Sequence, residues 1–147
     1  METLRITDAD LDADNFYIGP VDLNAGYDGH VEIAADLGIV RFKLSLTARG
    51  SVVAKAGSGI KAGEGIEAGE GIEAGSGIEA GWGIEAGLSI IAKWVSARLR
   101  IFVGLCLWKM PAADEMEIRA EVRSGTVCFG NIVPRTADAP SSTESAL

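Results

Sequence analysis

Six back-to-back hexads occupy residues 57–92 and read GSGIKA, GEGIEA, GEGIEA, GSGIEA, GWGIEA and GLSIIA. The unit is Gly-x-Gly-Ile-x-Ala. A short, strict period makes each unit retrace the same backbone path, so the chain has to wind into stacked coils. Within a hexad Ile and Ala stand two residues apart, as Ile66 and Ala68 do, and that spacing puts both on one face of a strand. The residue between them (Lys61, Glu67, Glu73, Glu79 or Glu85) points the opposite way, into water. The two Gly residues flank one variable position and suit a corner, where positive φ is available to Gly at little cost. Each hexad is therefore expected to be one short strand plus one turn.

Helical alternatives fail on the same residues. Two Gly per unit would cost a helix roughly 1 kcal/mol each against Ala. Ile recurring every six positions also scatters around a helix instead of forming a stripe. A collagen-like helix needs Gly at every third residue. The expected fold is all-β, a single-domain parallel β-solenoid with irregular capping coils. Three hexads per coil make a triangular prism and two make a flattened one. Ser58 and Ser76 recur three hexads apart at one corner position, which favours three. In that register Lys61 stacks on Glu79, an attractive pair, and Glu67 stacks on Glu85, a repulsive one, on strands about 4.8 Å apart.

Outside the hexads the pattern loosens. Residues 1–15 are acidic and expected to be only lightly tied down, with the solenoid running from residue 16 to 135. HVEIAAD alternates apolar and polar residues. GIVRFKLSL puts Val40, Phe42, Leu44 and Leu46 on one predicted face, and SVVAKA sets Val52, Ala54 and Ala56 in the x, Ile and Ala phase. Beyond residue 92 the phase runs on through Trp94 and Ser96. The apolar stretch from Leu99 to Trp108 reads as a closing coil, MPAADE as a turn, and EMEIRAEVR as a strand with Met116, Ile118, Ala120 and Val122 on one side. TVCFGNIV is a last strand. The small, polar tail 136–147 is expected to be disordered.

Charge is laid out in blocks along the 147 residues. Residues 1–40 carry −8, 41–56 carry +4, the hexads −5, 93–110 carry +4 and the remainder −3, for a net −8. An acidic chain of this kind is not expected to bind nucleic acid directly or an anionic membrane, but suits a basic partner. The N-terminal residues lack a basic segment followed by an apolar core, and no apolar run reaches spanning length, so a cytoplasmic location is expected. Cys106 and Cys128 then read as reduced core thiols.

Catalytic and metal constellations are thin. Asp8, Asp10, Asp12 and Asp14 begin like a Ca²⁺ loop, but counting from Asp10 the sixth position is Asn15 instead of Gly, and the twelfth is Val21 instead of the bidentate Glu. His30 is the only histidine, which rules out a three-His metal site, and as an acyl-transfer base it would need a substrate loop that the hexads do not provide. The two Cys have no partners at zinc spacing. The recurring G-x-G lacks the strand–helix setting of a dinucleotide fingerprint. No catalytic residue, cofactor or metal is expected.

Partner-binding residues are easier to nominate. Glu64 and Glu70 fall at corners, and Glu67, Glu73, Glu79 and Glu85 fall mid-strand facing out. On a rigid solenoid they are expected to form rows of carboxylates that imitate a phosphate backbone. Trp82 and Leu88 replace Ser or Glu in the corner series and would make one exposed apolar edge for a partner or a second copy.

The stretch GWGIEAGLSIIAKWVSARLRIFVGLCLW, followed by RSGTVCFG, resembles a widespread bacterial and phage-borne family with runs of G-x-G-I-x-A ahead of an LRIFxGLCLW segment. The resemblance covers roughly residues 50–130. It implies a β-solenoid, loosely similar to bactofilin-type and hexapeptide-repeat proteins, and carries no activity with it. In size and charge the chain is also similar to the anti-restriction and anti-CRISPR inhibitors of mobile elements. The expected function is a non-enzymatic interaction protein, favoured as an acidic inhibitor that competes for a basic nucleic-acid-binding partner. The alternative is a structural solenoid that self-associates.

Overall fold

In a computed structural model the chain is described over residues 2–104, 117–129 and 131–133. It is a parallel β-solenoid. Its strands are β1 (Glu2–Ile6), β2 (Gly29–Ile33), β3 (Gly38–Phe42), β4 (Leu46–Ala48), β5 (Val52–Ala54), β6 (Ser58–Ala62), β7 (Ile66–Ala68), β8 (Ile72–Ala74), β9 (Gly77–Ala80), β10 (Ile84–Ala86), β11 (Ile90–Val103), β12 (Glu117–Phe129) and β13 (Asn131–Val133). All named pairings are parallel and define three faces. Face A stacks β1, β2, β5, β8 and the start of β11. Face B stacks β3, β6, β9 and the middle of β11. Face C stacks β4, β7, β10 and the end of β11. Strand β12 adds a further layer on β11, and β13 pairs with β12.

Three hexads make one coil. Ile60 lies over Ile78, Ile66 over Ile84 and Ile72 over Ile90, with Ala over Ala beside them where the ladder extends. These Ile and Ala side chains fill the interior and are almost completely buried. Burying one Ile contributes about 1.5–3 kcal/mol, and the repeated Ile–Ala pair gives the core its narrow, continuous section.

Two of the three corners always hold three residues between inward positions, as between Ala62 and Ile66 or Ala68 and Ile72. The corner between faces A and B does not. It shortens up the stack, from residues 34–39 to 55–59, then 75–77, then 93–94. The two phase expectations fail here. Val52 and Ala54 take the Ile and Ala places, opposite Ile72 and Ala74, and Ala56 falls in the wide corner. One residue too few at 93–94 brings Val95 and Ala97 inward, in place of Ser96, and sets Trp94 opposite Gly77. A Cβ on Gly77 would collide with the Trp94 indole, whose ring Arg123 covers at 4.7 Å. Ser58 is buried at the wide corner, donating its Oγ–H to the Ala34 carbonyl and accepting from Leu37 N–H at 3.0 Å. Leu44 also departs from expectation. It is exposed at a corner between β3 and β4, so Phe42 and Leu46 lie on different faces.

Gly serves these corners differently from the expected way. Of the first-position and second-position Gly residues in the hexads, only Gly57 has positive φ. At three other first-position glycines, Gly63, Gly75 and Gly81, the constraint is close approach to backbone. A Cβ on Gly63 would lie 2.3 Å from the Lys43 carbonyl oxygen, and one on Gly81 would lie 2.1 Å from that of Gly63.

The N-terminal residues are tied down, contrary to expectation. Strand β1 pairs along its whole length with β2, and Ile6 is fully buried. Asn15, in the left-handed region that Asn tolerates, donates from Nδ2 to the Leu37 and Ile39 carbonyls. In β12, Ile118 and Ala120 are buried as expected. Met116, Cys106, the MPAADE turn and the tail lie outside the described residues, as does the side chain of Cys128.

Candidate functional site: an acidic and apolar face

With three hexads per coil, consecutive outward Glu residues go to consecutive faces. This breaks up the expected carboxylate rows. Glu73 sits on face A between Val53 and Ile91. Glu79 sits on face B over Lys61, and the pair is 3.7 Å apart. Only Glu67 and Glu85 stack on each other, on face C, between Thr47 and Phe102. Among the described residues the longest acidic column is therefore two residues, and no long row imitates a phosphate backbone.

That column is set apart by stacking carboxylate on carboxylate without a cation, whereas Glu73, which also has no ion pair among the described residues, lies between apolar residues. Glu32 is held by Arg5 and Lys55, Glu117 by Arg119, and Glu121 by Arg123. Among the described residues neither Glu67 nor Glu85 has a cationic partner. Burial, and secondarily the Glu67 charge, raises the Glu85 carboxyl above the ordinary glutamate value. Beside the pair runs an open trough of about 800 Å³, bounded by Tyr27, Asp28 and Arg49 and floored by Ala68, Gly69 and Gly87. Asp28 and Arg49 pair with each other across its rim at 3.3 Å.

The corner columns separate residues that the sequence grouped together. Backbone hydrogen bonds link Leu44, Glu64, Trp82 and Leu99 in one column between faces B and C. Glu70 and Leu88 stack in another, between faces C and A. Trp82 and Leu88 thus lie on different corners and do not form one edge. Leu88 is half-buried beside Val53 and Ile91. Trp82 is 56% exposed, and its companion in the column is Leu99, 57% exposed. Leu99 is not among the residues nominated from sequence because it begins the apolar stretch that reads as a closing coil. A second groove of about 490 Å³ joins Trp82, Leu99 and Phe102 to Arg100 and Glu85. Face C and its Trp82 corner therefore combine uncompensated carboxylates with exposed apolar side chains.

The remaining chemistry is structural. Asp12 accepts from the Asp14 and Phe16 amides, and Asp10 from Thr7, so these carboxylates cap turns instead of converging. Among the described residues no group of three His, Cys, Asp or Glu is placed to hold a metal ion. His30, Ser51 and Glu70 do meet at the corner between faces C and A. His30 Nδ1 accepts from the Ser51 amide at 2.9 Å, while Ser51 Oγ donates to Glu70 at 3.1 Å. The hydroxyl is thus bonded to the carboxylate and not to the imidazole, which is not a nucleophile–base arrangement. With Nδ1 already an acceptor, its 3.9 Å approach to Glu70 is not a hydrogen bond. Among the described residues no helix is long and apolar enough to cross a membrane. Compared with protein-family profiles, curated proteins and solved structures, the chain matches none.

Proposed function

We propose that the chain is a non-enzymatic interaction protein that holds a basic protein partner against face C. In the version its acidity favours, it acts as a mobile-element inhibitor competing with nucleic acid for that partner's basic groove. The supporting observation is the Glu67–Glu85 stack, a like-charge pair without an internal cation in a chain whose other stacked acids on faces A and B mostly have one. A Lys or Arg from a partner relieves that repulsion on binding, and Trp82 beside it offers an aromatic face to the same cation. Recognition rests on a compact acidic patch with an apolar border, instead of an extended phosphate-like row.

The test is a tagged pull-down from host lysate at low and high salt, read by mass spectrometry. A nucleic-acid-handling protein captured at low salt and released at high salt is the expected result, because partly exposed ion pairs are screened. The Glu67→Lys/Glu85→Lys double variant should lose that capture, while Glu73→Lys, on face A, should keep it. Capture that survives the double reversal refutes the proposal.

A further inference from the structure

We infer that the Trp82–Leu99 corner and the adjoining part of face C are covered by a second copy of this chain, related by a two-fold axis passing between the Trp82 and Leu99 coils. Three observations lead there. Trp82 and Leu99 lie on adjacent coils of one corner, joined by a 2.7 Å bond from Leu99 N–H to the Trp82 carbonyl, and both are more than half exposed. A large aromatic and a Leu side by side, with Phe102 lining the same groove, form the kind of apolar centre that anchors interfaces. That groove also carries one charge of each sign, Glu85 and Arg100, and among the described residues neither has an ion-pair partner within the chain.

Position decides who the occupant is. Glu85 and Arg100 belong to adjacent coils, because Ile84 pairs with Ile101. A two-fold axis between those coils exchanges them. Each Arg100 then faces the Glu85 coil of the other copy, and each Trp82 faces the other Leu99. The interface is self-complementary, as a two-fold contact must be. A cation alone answers Glu85 and leaves Arg100 unpaired, and a purely apolar occupant would desolvate both charges unpaired. A surface that offers one acid, one base and two apolar side chains on neighbouring rows fits itself. The dimer does not depend on the basic partner proposed above. Both would use Glu85, so they compete for it.

Sedimentation velocity of the full chain alone, from micromolar to millimolar concentration, tests this without any other protein present. A concentration-dependent dimer is expected. Trp82→Glu and Leu99→Glu should each be monomeric, with unchanged far-UV circular dichroism because both side chains are exposed. Glu85→Arg and Arg100→Glu should each weaken the dimer by roughly tenfold, and the combined swap should recover most of that loss, as expected for a direct charge pair. The inference is overturned by a monomer at every concentration, which would leave the groove to another occupant. It is equally overturned by a dimer that Trp82→Glu leaves intact, or by a charge swap that restores nothing.

Discussion

Replacing a hexad glycine by alanine should be severe at Gly81, a first position, and harmless at Gly65, a second one. A Cβ at position 81 would lie 2.1 Å from the Gly63 carbonyl oxygen, where ordinary contact begins near 3.4 Å. The obstacle is backbone and cannot rotate aside, so two coils must part locally by about 1 Å against a spacing of about 4.8 Å. That displacement strains the bonds from Gly81 N–H to Ala62 and from Trp82 N–H to Glu64, now 3.0 and 2.9 Å. Overpacking plus weakened ladder bonds comes to about 3 kcal/mol. For a chain of this size the melting temperature should fall by roughly 6–12 °C. At position 65 the new Cβ meets its nearest atom, the Gly83 oxygen, at 3.6 Å, and φ is not positive. Gly65→Ala should therefore be neutral or stabilising by about 0.5 kcal/mol, through a less flexible unfolded chain. Thermal melts followed by far-UV circular dichroism, with urea titrations beside them, compare the two variants. If Gly81→Ala melted with Gly65→Ala, close approach would not be what requires Gly at position 81.

Ser58→Ala should cost about 1–3 kcal/mol, because it strips partners from Ala34 C=O and Leu37 N–H at a buried corner, whereas Ser76→Ala at the stacked position should be close to neutral in the same urea titration. Gly77→Ala should displace the Trp94 indole from its seat and lower the melting temperature, and a change in Trp fluorescence should accompany the loss. The pH dependence of Glu85 has a definite sign. Its folded-state carboxyl titrates above the ordinary value of 4.5, so the folded chain holds more protons in that window and the stability contributed is present below it and lost as pH rises through it. Glu85→Gln should thus gain about 0.5 kcal/mol over the parent chain near neutral pH, and that gain should vanish below the ordinary glutamate range; equal gains at both pH values would show that neither burial of the charged carboxylate nor the Glu67 repulsion is the cause.

The repeat itself was enough to specify a parallel solenoid, because an Ile–x–Ala spacing has one inward face and a six-residue period has no helical stripe. It only leaned toward three hexads per coil, through Ser58 over Ser76 and Lys61 over Glu79 and against the repulsive Glu67 over Glu85, and the strand ladder decided that register. What lay beyond the repeat was less legible. The phase was misread at Val52 and again at Trp94, because an insertion or deletion at a corner leaves strand composition unchanged while shifting which residue points inward. The acidic N-terminal residues looked only lightly tied down, since a strand at the start of the stack is recognised only by its neighbour, β2.

The candidate site depended most on the third dimension. The sequence determined which residues face outward, because alternation along a strand is local. Tertiary structure decided which of them are neighbours. Winding three hexads into each turn separates Glu67, Glu73 and Glu79 onto different faces and leaves Glu67 stacked on Glu85 alone. The same winding parts Trp82 from Leu88 and sets it beside Leu99, seventeen residues along the chain. Adjacency in a solenoid is fixed by the length of a coil, and that length is set by packing at the corners.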